Sequence, residues 1–482
     1  MVTFFVGISI LILGGIYYSK IIERIEGVKA ERRTPAYRME DGVDYIPLPW
    51  WKVFLIQFLN IAGLGPIFGA IAGAMWGPVA FLWIIFGSIF GGAVHDYFSG
   101  MISLRHNGMS ITEIIGAYLG TPTKIFMRFF TIFLMVLVGA VFVTGPAGIL
   151  GNITANSISV TTWVWIIFIY YFMATMIPID KIIGRIYPVF GFVLLTMALA
   201  ILVALFAKGY KIPEITLANL HTDRESYPIF PMMFVTIACG AVSGFHSTQS
   251  PMMARCLKNE KEGRAVFYGA MLTEAIVAMI WAAIGMAFYG GVKGLNEVMV
   301  ANGGQAAIVV SEMSLSLLGK VGGILAMIGV VIAPITTGDT AFRSSRLIVA
   351  DFMKYDQGPI KNRLLVSIPL FALGIFITQI DFDVLWRYMA WTNQTLSVFV
   401  FWAITVYLVQ RGKCYWVALV PALFMTGVCT AYILFAPEGF SLPATISYSV
   451  AMVVVIAAIA IFRNYTRKRD KSISIAGSTL KE

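Results

Sequence analysis

The sequence predicts an all-α polytopic membrane protein, and three observations predict it. Hydrophobic residues make up 59% of the 482 residues, and mean hydropathy is +0.82. Charged residues are 12%, against roughly 25% in soluble domains. Apolar stretches of about 20 residues, the length that crosses a bilayer, recur along the whole chain.

Val2 to Ser19 is the first such stretch. No basic residue precedes it and no small-residue cleavage pattern follows, so it reads as a retained helix rather than a signal peptide. Residues 20–49 form a charged loop. An interrupted segment runs from Trp50 to Ala74, with Trp50 and Trp51 suited to the membrane interface. Further spans are expected at 78–103, 124–150, 160–178, 186–207, 229–255, 265–290, 320–350, 363–380, 384–409, 414–435 and 442–462, which makes thirteen crossings.

Two segments should not be continuous helices. Phe234–Arg255, FVTIACGAVSGFHSTQSPMMAR, holds Gly240, Gly244 and Pro251, and Gln57–Gly69, QFLNIAGLGPIFG, holds Asn60, Gly63, Gly65 and Pro66. In a helix interior glycine costs about 1 kcal/mol and proline about 3. Inside a bilayer each backbone group freed by a break costs several kcal/mol unless protein, water or a ligand satisfies it. Paired interruptions in the two halves of a membrane chain therefore point to a secondary transporter's binding site. Glycine-rich packing faces on ordinary helices are the alternative.

The basic residues orient the chain. With the N-terminus outside, the cytoplasmic side receives 20–52, 105–128, 181–185, 255–264, 343–363, 411–413 and the tail from Arg463, which together carry 29 of the 35 Lys and Arg. Short cytoplasmic loops hold such an excess. The net charge of +10 is thus a matter of topology, and no nucleic-acid partner is implied. The four cysteines, at 239, 256, 414 and 429, have no metal-ligand spacing and read as small apolar residues.

Five spans run from the first interrupted helix to the second, and five more follow to residue 409, so the halves cross in opposite senses. The organisation is then an N-terminal helix and cytoplasmic loop (1–49), a first repeat (50–208), an external loop (209–228), a second repeat (229–409), and two C-terminal helices with a basic tail (410–482). This pattern resembles the leucine-transporter fold, a 5+5 inverted repeat with two broken helices. In that fold a re-entrant lid lies where residues 291–318 fall here, with Gln305–Leu318 apolar but too short to span. An amphipathic surface helix is the other reading.

The strings FLNIAGLGPIFGAIAGAMWGP (58–78), VHDYFSGMISLRHNGMSITEIIG (94–116), FVTIACGAVSGFHSTQSPMMARCL (234–257), MLTEAIVAMIWAA (271–283) and ITTGDTAFRSSRLIVAD (335–351) resemble the carbon starvation protein A (CstA) family. The chain is similar to its shorter form, without a long C-terminal region, which leaves peptide against pyruvate open. The resemblance implies a cytoplasmic-membrane carrier for peptides or pyruvate-like nutrients, used in carbon starvation and driven by protons. A Na⁺-coupled carrier, a channel and a nutrient sensor are the rivals. No His-Glu-x-x-His, Gly-x-Ser-x-Gly or phosphate-loop motif suggests an enzyme. No cofactor is expected, and the partners are the bilayer and a small-molecule substrate.

Ionisable and polar groups within spans are costly and pair or line a pathway, so they are the site candidates. Asn60, Gly63, Gly65, Gly240, Ser243, Gly244, His246 and Gln249 surround the breaks. Freed N–H groups there suit a substrate carboxylate. Trp391 and Asn393, beside Gln394, are expected to close the site from outside. His246 has a hydrogen-bonded packing role as its alternative. Glu274 lies ten residues into an apolar helix, where desolvation favours proton uptake; a structural pairing with Lys or Arg is the other reading. Asp339 is expected to pair with Arg343 one turn on, as a cytoplasmic gate. In the leucine-transporter arrangement, Thr336, Thr337 and Thr340 with carbonyls near Gly63 would instead hold Na⁺. His95 and Asp96 are adjacent on a helix and should not face each other, so they form either a proton relay or a structural cluster.

The charge distribution makes a direct prediction. A reporter active only in the cytoplasm, fused after Glu482, gives signal; a well-expressed fusion active only when exported would reverse the orientation and break the odd number of crossings.

Overall fold

The computed structural model describes residues 1–154, 157–177, 183–380 and 382–479. Among these the chain is helical, with a single parallel bridge between Leu48 and Leu257. Helix α1 is Val2–Glu26 and ends at Gly27, whose left-handed φ of 70° makes a glycine C-cap. Helix α2, Trp50–Ala62, stops at Gly63 (φ 46°, ψ −141°), and the chain restarts as α3, Gly65–Trp76, bent by 56°. Pro66 sits at the start of α3, where its missing N–H costs nothing.

Next come α4 (Val79–Arg105), α5 (Ile111–Leu119), α6 (Thr121–Ile153), α7 (Val160–Met176) and α8 (Ile183–Ala207). After the 209–228 loop, α9 covers 229–236, the backbone leaves helical geometry at Ile237, and α10 resumes at His246–Ala254. Both interruptions are therefore true breaks. Pro251 lies inside α10, so the stretch around Gly240 and Gly244, not the proline, marks the second one.

The remainder is α11 (Glu260–Phe288), α12 (Val292–Ala301), α13 (Ala306–Met353), α14 (Ile360–Ile377), α15 (Phe382–Gln410), α16 (Trp416–Phe435) and α17 (Ala444–Thr479). Gly319, at φ 70° and ψ −178°, separates 306–318 from the long part of α13. Ten described helices are long and apolar enough to cross a membrane, or eleven with α2 and α3 taken as one span. The other two expected crossings fall on α7, an apolar helix of 17 residues, and on the interrupted α9–α10 segment, whose pieces are individually short.

Burial sorts the spans into an inner and an outer set. The most apolar stretches of α4, α11 and α15 are 78%, 83% and 83% buried, whereas those of α1 and α17 are only 22% and 17% buried. The two broken helices pack on each other at the centre. A β-carbon at Gly65 would overlap the Cys239 side chain, and Gln57 donates to Ser250 Oγ at 3.2 Å. Gly244 is equally constrained, since a β-carbon there would overlap the backbone of α15 at Asn393 and Ser397.

That contact sets a stability prediction. Overpacking costs about 1–3 kcal/mol, so Gly244→Ala should lower the thermal unfolding midpoint in detergent, whereas Gly148→Ala, with nothing within 4 Å, should leave it nearly unchanged. Equal midpoints for the two variants would show that α15 does not press on the second break.

Candidate substrate and ion site

Each break leaves backbone groups that neighbouring side chains satisfy. Asn393 Oδ1, on α15, accepts from the Phe245 N–H at 2.6 Å and from Ser243 Oγ at 3.1 Å. From α4, Trp83 Nε1 donates to the Ile237 carbonyl at 3.1 Å, and Ser88 Oγ donates to the Gly240 carbonyl at 3.1 Å. At the first break, Thr337 Oγ1 of α13 donates to the Leu59 carbonyl at 3.0 Å.

The second break also carries a chain of ionisable groups, all fully buried. His95 Nδ1 lies 2.8 Å from Asp96 Oδ1, His246 Nδ1 lies 2.9 Å from Asp96 Oδ2, and His246 Nε2 lies 3.5 Å from Glu274 Oε2. An ionised Asp96 only accepts, so both histidines then donate from Nδ1 and present Nε2 outward. The two adjacent residues His95 and Asp96 do touch, contrary to the helical-neighbour argument. Asp96 stands between two histidines and gives one oxygen to each.

Glu274 meets His246 and not a Lys or Arg, so the expected alternative of a structural pairing is not realised among the described residues. Neither Glu274 oxygen nor His246 Nε2 has a hydrogen-bond partner with good geometry. Cys239 belongs here too: its Sγ, a ring nitrogen of His246 and a Glu274 oxygen lie within 4.8 Å of one another, a spacing that could hold one metal ion. It is therefore part of the polar centre, not the small apolar packing residue its isolated position suggests.

The other candidates divide. Asn60 is fully buried and both its amide atoms are unpartnered, while Gln249 Nε2 donates to Thr248 and Ser344 and its Oε1 is unpartnered. Trp391 turns away from the breaks and donates to the Cys429 carbonyl of α16 at 3.3 Å. Thr336 and Thr340 bond carbonyls of their own helix, so of the three threonines only Thr337 reaches across to the first broken helix.

Asp339 does not pair with Arg343. It accepts from Tyr187 of α8 at 2.5 Å and Thr175 of α7 at 3.4 Å, two hydroxyls that α13 packs against. Arg343 instead donates to the Ala174 and Ile177 carbonyls at the end of α7 and to Asp44. Asp44, Tyr187, Thr175 and Arg346 carry no local signal, since their partners lie more than 150 residues away.

At the end of the bundle away from the basic loops, a cavity of about 480 Å³ opens between α3, α6, α15 and the start of α13. Phe68, Thr144, Gln305, Phe382 and Trp386 line it, and among the described residues none that line it is charged. It reaches the first break, because a β-carbon at Gly145 in its wall would lie 3.0 Å from Leu64.

The carbon starvation protein CstA family model matches residues 1–161 and 150–317. An uncharacterized membrane protein of Haemophilus influenzae is 42% identical over 62% of this chain and 95% of its own length. The peptide transporter CstA of Bacillus subtilis is 26% identical over 55% of this chain and 54% of its own. The pyruvate/proton symporter BtsT of Escherichia coli is 27% identical over 57% and 47% respectively, so the chain spans about half the length of these two transporters. Among solved structures, MhsT in complex with L-phenylalanine superposes with a TM-score of 0.52 at 15% identity, covering 84% of this chain and 98% of that one. The fold is therefore the leucine-transporter type.

Asp44 gives this architecture a definite pH response. Burial pushes its carboxyl up, but Arg346, Arg343 and Arg255 outweigh burial and hold it below its ordinary value. A depressed folded value means its contribution is complete above the unfolded value of about 3.9 and fades only as pH falls through the lower folded one. Hydrogen-exchange protection of residues 43–48, corrected for intrinsic rates, should therefore be constant from pH 8 to 5 and drop in Asp44→Asn at pH 7. Loss of protection near pH 6 in the parent would contradict this assignment.

Proposed function

The chain belongs to the carbon starvation protein CstA family, and from that membership we propose that it is a proton-coupled importer of peptides or pyruvate-like acids. That it is a multi-pass membrane transporter and not an enzyme follows from its named relatives and its fold. The observation that carries the coupling is the buried His95–Asp96–His246–Glu274 chain beside the second break.

The chemistry of that chain suits a proton. A neutral Glu274 can donate to His246 Nε2, and Asp96 stabilises the imidazolium that results. The proton would pass between two buried groups that stand 3.5 Å apart and need only a small approach to form a hydrogen bond. We read the end that carries the basic loops and Asp44 as cytoplasmic and the 480 Å³ cavity as the outer access path to the breaks. The substrate then meets the first break from the cavity side, where Asn60 offers an unpartnered amide. Protonation from outside would let the loaded carrier turn over, and the more alkaline cytoplasm would take the proton. The Thr337–Leu59 contact supports a second reading, in which Na⁺ binds between α13 and the first break.

Counterflow in proteoliposomes tests the carrier, since a channel shows no stimulation by substrate on the far side. Uptake of pyruvate and of di- and tripeptides, with and without a proton gradient, tests substrate and coupling. Glu274→Gln mimics the protonated form, so it should lose gradient-driven accumulation by about tenfold or more, as expected for loss of a coupling free energy above 1.4 kcal/mol, while keeping exchange at equal concentrations. Full accumulation by this variant would make Glu274 structural, and accumulation that follows Na⁺ and ignores pH would favour the Thr337 site.

A further inference from the structure

A second buried polar cluster lies at the basic end of the bundle, and the coupling chain does not use it. Arg343 Nη1 and Arg346 Nη2, one turn apart on α13, each donate to one oxygen of Asp44 at 3.2 Å, and all three side chains are at most 4% exposed. Arg255 stands at the end of α10, its Nε donating to the Gly108 carbonyl and its guanidinium 3.7 Å from Asp351. Arg363 joins from α14, bonded to the Met176 carbonyl. Among the described residues, three of these guanidiniums lie within 4 Å of a carboxylate, and Asp339 and Asp41 add negative charge nearby.

Buried guanidiniums are costly where their N–H groups go unmet, because the lost solvation is not replaced. Their donors are incompletely used as well. Arg343 Nε and both Nε and Nη1 of Arg346 are buried without a hydrogen-bond partner. A purely structural ion pair would use its donors; this cluster leaves room at these three N–H groups for a further acceptor. The group it now holds is a carboxylate, taken at both oxygens by two forks of the kind that recognise carboxylates.

We propose that Arg343 and Arg346 form a carboxylate-binding site at the basic mouth of the protein, and that Asp44 occupies it in this conformation as a tethered stand-in for the ligand. The ligand is a small organic acid or a peptide C-terminus. Asp44 belongs to the strap before α2, which is non-helical apart from one turn at Pro35–Arg38 and is tied down by the Leu48 N–H to the Cys256 carbonyl (3.0 Å) and the Lys29 N–H to Glu260 (3.0 Å). A carboxylate that displaces Asp44 therefore loosens the strap. Cys256 reports this, because it is fully buried with its Sγ 3.9 Å from the Asp44 carbonyl.

The test uses the full chain in detergent with the exposed Cys414 changed to Ser, since the remaining Cys239 and Cys429 are buried. Maleimide alkylation of Cys256 is followed by mass spectrometry with pyruvate, dialanine, inorganic phosphate and methyl pyruvate as probes. Pyruvate and dialanine should accelerate alkylation in the parent, and the uncharged ester should not. By calorimetry, Asp44→Asn should bind pyruvate about tenfold more tightly than the parent, because the competing carboxylate is gone. Adding Arg346→Gln should cancel that gain. Alkylation indifferent to both carboxylates overturns the proposal without any change at Asp44, and phosphate acting as strongly as pyruvate overturns the carboxylate assignment. Neither readout requires transport, so failure of proton coupling would leave this test intact.

Discussion

The backbone at the two helix breaks has to be satisfied inside an apolar bundle, and the rest of the structure is arranged to do so. Water does not compensate a freed N–H or carbonyl there, so each must find a protein partner. The second break finds them on two different helices. The Phe245 N–H goes to Asn393 of α15, while the Ile237 and Gly240 carbonyls receive Trp83 and Ser88 of α4. The first break takes Thr337 of α13. The most enclosed spans are accordingly α4, α11 and α15, which press against these breaks, while α1 and α17 stay peripheral.

Close packing around the breaks also explains why charge can be kept there. His95, Asp96, His246 and Glu274 are all inaccessible to solvent, and no Lys or Arg among the described residues neutralises them. An isolated buried carboxylate would be neutralised or expelled. In this chain Asp96 gains two imidazole donors, and Glu274 faces the free nitrogen of one of them. The group is held together across α4, α10 and α11 because Asp96 binds both imidazoles and His246 stands between Asp96 and Glu274.

Local chemistry made the breaks legible in the sequence, and distance hid their partners. Gly63 and Gly65, like Gly240 and Gly244, announce an interruption because glycine inside an apolar run has a local cost. Glu274 and His246 stand out for a similar reason, being ionisable groups in apolar surroundings. Asn393 was visible as a polar residue in a span, though not as the cap of Phe245, 148 residues earlier. Asp44 was not visible at all, since a loop rich in charge gives no reason to single out one carboxylate. The one-turn rule failed for Asp339 because spacing says who can meet, not who competes. Tyr187 and Thr175 supply hydroxyls from other helices, and Arg343 finds carbonyls at the end of α7. The adjacency argument failed for His95 and Asp96 because full burial beside His246 draws their polar atoms to a common point.

The two polar clusters meet opposite ends of one short helix. Helix α10 begins at His246 in the coupling chain and leads at its end into Arg255 of the basic cluster, only nine residues along one short helix. A rigid element of that length transmits a displacement at one end to the other, because close-packed helices shift as bodies rather than deform. Movement of His246 relative to Glu274 therefore bears on the packing of Arg255, Tyr45 and the strap that ends in the Leu48–Cys256 contact. The strap closes the basic end while the cavity stands open at the other, which is the arrangement an alternating carrier needs in one of its two states. Removing a partner from a buried ion pair costs about 3–5 kcal/mol, so the pairing of Asp44 with Arg343 and Arg346 holds the strap firmly against α13. The polar centre and the basic end are thus joined through α10, by contacts that each end requires for its own stability.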